Sequence, residues 1–87
     1  MISVSIIIPT KNGEKYLDRV LNMLFSQETA FDFEVIIIDS GSKDKTLKII
    51  KKYPAQLIKI RPREFGHGKT RNYGVGISKG KFLVFLT

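Results

Sequence analysis

The sequence has no cysteine and a single histidine, His67. Without cysteine neither a disulfide nor a thiolate metal site can form, which fits a reducing compartment. No metal-ligand cluster and no serine–histidine–aspartate array can be picked out. Long apolar runs are missing too: stretches such as Phe82 to Leu86 are far too short to cross a bilayer. Met1 leads directly into a strand-like pattern, without the layout of a signal peptide. These absences make the expected location cytoplasmic, with attachment to the inner face of the membrane left open as an alternative. Acids are also scarce, 8 Asp/Glu against 15 Lys/Arg, for a net charge of +7.

What is present describes a globular chain. Its 87 residues suffice for one small domain, and 43% hydrophobic with 10% aromatic residues argues against disorder. The positive charge is concentrated. Residues 43–71 hold ten Lys/Arg against two acids, Asp44 and Glu64, while the remainder holds five against six. That asymmetry suits an anionic partner, such as nucleotide phosphates, a membrane surface or nucleic acid; the plainer reading is a solvated face of lysines.

The apolar pattern alternates between two periods. Val4 to Ile8 reads as a buried strand ended by Pro9 and the polar turn Thr10-Lys11-Asn12-Gly13. Tyr16, Leu17, Val20, Leu21, Leu24 and Phe25 then recur at helical spacing, predicting a helix from about Glu14 to Gln27, capped by Asn12 or Gly13. Phe33 to Ile38 is a second strand, apolar on both faces. Ser42 is the expected N-cap of a second helix carrying Leu47, Ile49 and Ile50, with Asp44 in its first turn and an end before Pro54. Gln56 to Ile60 follows as a third strand, Arg61 to Gly68 as a loop, and Lys69 to Ser78 as a helix weakened by Gly74 and Gly76. Phe82 to Leu86 makes a fourth strand. Strands apolar on both faces, alternating with helices, predict an α/β fold: a mostly parallel, Rossmann-like sheet covered on each side. Ending on a strand with no covering helix suggests a piece of a longer protein, truncated after the fourth strand.

Ligands in such sheets bind where strands end and connections diverge. Here that edge holds Thr10-Lys11-Asn12, Asp39-Ser40-Gly41-Ser42 and Arg61-Pro62-Arg63. Asp39 is suited to accept hydrogen bonds from a base N–H or a ribose hydroxyl, or else to cap its own turn. Two phosphate motifs fail. Gly68-Lys69-Thr70 resembles the end of a P-loop, but Arg63 stands where its first glycine belongs. Gly66-His67-Gly68 begins like a dinucleotide fingerprint, but Arg71 takes the place of its third glycine. His67 is a turn residue or a ligand contact; Arg71 is a forked phosphate holder or a surface cation.

Three stretches in order, VSIIIPTKNGEKYLDRVLNMLFSQ, FEVIIIDSGSKDKTLKII and GHGKTRNYGVGISKGKFLVFLT, resemble the amino-terminal half of family 2 glycosyltransferases, which have the GT-A fold. Glu64 to Asn72 is most similar to rhamnosyltransferase-like members. The resemblance implies that residues 1–87 form the nucleotide-sugar-binding portion of an incomplete domain. A UDP- or dTDP-sugar would be the donor and a saccharide or lipid-linked hydroxyl the acceptor, in polysaccharide or glycolipid synthesis with inversion. By this likeness Thr10, Lys11 and Asn12 lie beside the base, Asp39, Ser40 and Gly41 meet its edge, and His67, Lys69 and Arg71 serve the nucleotide. Lys11 stands where many members have Tyr, and Ser40 where many have a second Asp. The family's metal motif, for Mg2+ or Mn2+, and its catalytic base belong beyond Thr87, so the chain alone is expected to be inactive and to hold no metal ligand or catalytic residue.

Nucleic acid is not an expected partner. The competing reading is a basic α/β module holding nucleic acid or another anion through residues 43–71, weakened because only Tyr53 and Phe65, with Tyr73 just beyond, interleave there. A third reading is a structural fragment that self-associates through its open sheet edge.

Overall fold

In the computed structural model, residues 2–28 and 32–86 are described, with His67 described by its backbone alone; Thr87 lies outside them. Four strands, β1 (Val4–Thr10), β2 (Phe33–Asp39), β3 (Gln56–Lys59) and β4 (Phe82–Phe85), form one sheet in the order β3-β2-β1-β4. All pairings are parallel, as the doubly apolar strands require. The helices are α1 (Leu17–Ser26), α2 (Thr46–Ile50) and α3 (His67–Ile77), with a 3-10 turn at Pro62–Glu64 before α3.

Side chains alternate across the sheet, so successive isoleucines build two cores. Ile8, Val35 and Ile37 pack with Leu17, Leu21 and Ile50 under α1 and α2. Ile7, Ile36 and Ile38 pack on the opposite face with Ile58, Ile77 and Phe85, under α3. Gly74 is the reason α3 can lie so close: a Cβ there would stand 2.9 Å from Ile7 Cγ2. The glycine that lowers helix propensity is therefore a packing device, and the helix forms despite it.

Several boundaries differ from the sequence pattern, each for a local reason. β1 runs through Pro9 to Thr10 instead of ending at Pro9. Ile7 O accepts the N–H of Leu86, so Pro9, two residues on, turns its missing N–H toward the same side, past the paired span of β4. α1 starts at Leu17, after a turn in which Gly13 O accepts the N–H of Tyr16 and of Leu17; neither Asn12 nor Gly13 caps it. α2 starts at Thr46 rather than next to Ser42, whose hydroxyl is used elsewhere. α3 begins two residues earlier than expected, at His67.

The two helices on the first face are tied by a polar contact. Tyr53, just after α2, donates its hydroxyl to Asp18 Oδ1 at 2.6 Å, and Lys52 Nζ stands 3.3 Å from the same oxygen. The Tyr53 bond, then the Lys52 bond, holds the Asp18 carboxyl below its usual value, while the bond to Asp18 raises the Tyr53 phenol. A lowered carboxyl adds stability above its unfolded pKa and loses it as pH falls through the folded one. A raised phenol adds stability below its unfolded value and loses it as pH climbs through the folded one. Tyr53→Phe should therefore flatten both limbs of the stability–pH profile, measured by urea denaturation from pH 2 to 11.

Candidate functional site

Three strands end level with one another. Thr10 pairs with Asp39, and Asp39 with Lys59. The last ladder bonds are Ser40 N–H to Thr10 O at 3.1 Å and Ile60 N–H to Asp39 O at 2.8 Å. Beyond them the chain leaves the sheet in three directions, opening the edge where a ligand can reach backbone and side chains together.

Asp39 organises the turn after β2. It is only 1% exposed. Oδ2 accepts the N–H of Gly41 at 3.2 Å and of Ser42 at 2.9 Å, and Oδ1 accepts the hydroxyl of Ser42. A carboxylate offers about four lone-pair sites, so one on Oδ1 remains. Gly41 takes φ +97°, a region side chains rarely adopt, and a Cβ there would also lie 2.8 Å from Pro62 Cγ.

This turn is laced to the turn after β1. Ser42 Oγ accepts the N–H of Asn12 at 2.8 Å, and Asn12 Oδ1 accepts the N–H of Lys43 at 2.8 Å. Thr46 Oγ1 accepts the N–H of Gly13 at 2.8 Å. Asp44 Oδ2 accepts the N–H of Glu14 at 3.3 Å, while Oδ1 accepts the N–H and the hydroxyl of Thr46. Desolvation would raise the Asp44 carboxyl, but the bonds from Thr46 and Glu14 outweigh it and leave the pKa lowered. The run Asp-Ser-Gly-Ser-Lys-Asp-Lys-Thr is thus a set of side-chain caps for two loops at once. Asn12 serves it at φ +52°, where asparagine is among the few tolerated residues. Asn12→Ala should cost about 1–2 kcal/mol in thermal denaturation, with Asn12→Gly milder because it keeps the φ.

Against this clamp lies a cleft of about 260 Å³ lined by Pro9, Thr10, Lys11, Tyr16, Ser40, Pro62 and Phe65. Its walls are two prolines and two rings, with the hydroxyls of Thr10, Tyr16 and Ser40 set among them. Tyr16 OH lies 3.5 Å from Thr10 Oγ1. Such a slot accepts a flat heteroaromatic ring between apolar surfaces and meets its edge with hydroxyls.

The expected site residues do not all converge. Thr10, Lys11 and Ser40 line this cleft. Asn12, Asp39 and Gly41 shape the turns behind it. Lys69 lines a different cavity, between β3 and α3, so it does not join the others. Arg71 lays its guanidinium 4.5 Å from the Phe85 ring centroid, at the end of β4. The side chain of His67 lies outside the described residues. Tyr16 and Phe65 were not expected, and Pro62 only as part of the strand-end turn; the only signal for Tyr16 was a hydroxyl-bearing ring at the mouth of a helix.

Among the described residues no three His, Cys, Asp or Glu side chains gather closely enough to hold a metal ion. The acids of this edge, Asp39 and Asp44, are engaged by backbone amides.

Comparison with known proteins gives consistent results. The profile of Glycosyl transferase family 2 matches residues 5–87. Poly(ribitol-phosphate) beta-N-acetylglucosaminyltransferase TarS of Staphylococcus aureus is 38% identical over 91 residues, covering 99% of this chain and 16% of TarS. Chondroitin synthase of Pasteurella multocida is 40% identical over 89 residues, covering 98% of this chain and 9% of the synthase. The chain therefore spans a small part of these relatives' lengths. The crystal structure of S. aureus TarS 1–349 in complex with UDP-GlcNAc superposes with a TM-score of 0.86 at 33% identity, over 98% of this chain and 26% of that one. Glucosyl-3-phosphoglycerate synthase from Mycobacterium tuberculosis, in complex with Mn2+, UDP and glucosyl-3-phosphoglycerate, shares the fold with a TM-score of 0.79 at 22% identity, over 98% of this chain and 33% of that one.

Proposed function

The chain belongs to Glycosyl transferase family 2, and from that membership we propose that it is the donor-binding portion of an inverting glycosyltransferase using a UDP- or dTDP-sugar. The observation that carries this reading is the cleft between the clamped turns, apolar in its walls and hydroxyl-lined at its edge. A pyrimidine ring fits between the prolines and the rings of Tyr16 and Phe65. The lone pair left on Asp39 Oδ1 takes the imide N–H of the base, and three bonds from the turn hold the side chain in place. Lys11, exposed at the rim, faces the diphosphate. Arg71, parked on Phe85, is the second cation for it.

In this reading the parent protein builds a polysaccharide or glycolipid at the inner face of the membrane, with a saccharide or lipid-linked hydroxyl as acceptor. A divalent cation, when bound, neutralises charge on the leaving diphosphate; its ligands and the catalytic base lie outside the described residues. The residues in hand bind and orient the donor and do not by themselves transfer the sugar.

Calorimetric titration tests this. UDP and dTDP should bind saturably and ADP at least about tenfold more weakly, since a cleft shaped to one ring's edge rejects a base that leaves its polar groups unpaired. Equal binding of all three would sink the reading.

A further inference from the structure

The 3-10 turn Pro62–Glu64 and the residue after it form a partition. Pro62 and Phe65 face the cleft just described, whereas Arg63 and Glu64 face a second cavity of about 660 Å³. That cavity has an apolar floor of Ile38, Ile58 and Ile60 and a rim carrying Lys59, Arg63, Lys69 and Tyr73. Among the described residues none of these three cations has an ion-pair partner; the one ion pair is Lys52–Asp18. Glu64, the only acid in the lining, already accepts the N–H of Arg61 at 2.8 Å through Oε1. Thr70, 3% exposed, also lines the cavity. Its Oγ1 accepts the N–H of Gly66 at 3.4 Å, and its hydroxyl proton goes to no acceptor among the described residues.

We propose that this second cavity binds an amphipathic organic phosphate, a phosphomonoester attached to an apolar body, at a site separate from the donor cleft. Three cations against one engaged carboxylate leave a surplus of about two charges, matching a phosphomonoester carrying about −1.5 to −2 at neutral pH. The lysines and the arginine fork take its oxygens, and the Thr70 hydroxyl donates from within. The isoleucine floor takes the apolar body, which inorganic phosphate lacks. The two requirements, charge at the rim and apolar contact beneath, select against both free phosphate and neutral amphiphiles.

Hexyl phosphate, inorganic phosphate and hexanol are the probes, titrated into the protein by calorimetry, alone and with UDP at saturation. Hexyl phosphate should bind saturably and at least about tenfold more tightly than inorganic phosphate, the gain expected from burying two or more methylenes. UDP should not displace it. The double variant Lys59→Ala/Arg63→Ala, both at exposed positions, should weaken hexyl phosphate about tenfold or more while leaving UDP binding unchanged. Lys43→Ala/Lys45→Ala, equal in charge removed but outside the cavity lining, should leave hexyl phosphate binding as it is. Equal affinity for hexyl phosphate and inorganic phosphate overturns the proposal, as does one-for-one competition by UDP, which would make the cavity part of the donor site. Equal loss in the two double variants overturns it as well, reducing the effect to net charge.

Discussion

Asp39→Ala is expected to lower folding stability by about 3 kcal/mol and to abolish nucleotide binding. The substitution leaves the amides of Gly41 and Ser42 and the hydroxyl of Ser42 without their acceptor. Bonds to a charged acceptor are worth roughly 1.5–3 kcal/mol net each and are not additive. The damage spreads because Ser42, once released, no longer holds Asn12, and the two turns separate. In a small domain whose total stability is about 5–15 kcal/mol, that loss is large. Asp39→Asn separates structure from recognition. Its carbonyl oxygen still serves the two amides, so stability should fall by only about 1 kcal/mol. The remaining position becomes an N–H donor facing the base's own N–H, so UDP affinity should still drop at least about tenfold. Urea denaturation and calorimetry on the two variants read these effects apart.

Gly80→Ala should be comparably severe at the opposite end of the sheet. A Cβ at Gly80 would lie 2.5 Å from both Ser5 N and Ser5 Oγ, and 2.7 Å from Val4 C. Backbone cannot yield as a flexible side chain can. Beneath the contact, Ser5, fully buried, accepts the N–H of Gly80 at 2.7 Å and donates to Glu34 Oε2 at 2.5 Å. Glu34 Oε2 also accepts the N–H of Lys79 at 2.6 Å. Pushing the loop outward breaks this network, for an expected cost of about 2–4 kcal/mol. It also frees the start of β4, where Phe82 N–H bonds Ser3 O at 2.9 Å. Amide exchange at Phe82 and Leu86 should rise accordingly. Gly76→Ala, into open space on the same helix–loop segment, should instead raise stability by about 0.5–1 kcal/mol.

The strands were the legible part of this fold. Val35 to Ile38 bury both of their faces, and only a sheet covered on two sides makes use of such a run. The helix starts were not legible, because the groups that cap them come from a different loop. Ser42 looks like an N-cap in isolation, yet its hydroxyl is held by Asp39 and by the amide of Asn12, thirty residues away. Asp39 was open to two readings, and the turn-holding one is visible in its bonds. In the proposed function, base recognition falls to the single lone pair left over. Lys69 and Arg71 illustrate a different limit. Residues two apart on a helix point to opposite sides, so one lines the second cavity and the other reaches Phe85. The cleft walls needed three turns to meet at strand ends, and no linear spacing links Tyr16 with Pro62 and Phe65.

The central claim is that the donor's base lies between the clamped turns. Residue-resolved NMR during a UDP titration tests it most directly. The account predicts saturable shifts at Thr10, Lys11, Tyr16, Ser40 and Phe65, with the amides of Lys59 and Tyr73 unmoved. Shifts confined to Lys59, Lys69, Thr70 and Tyr73, or none at millimolar UDP, would contradict it.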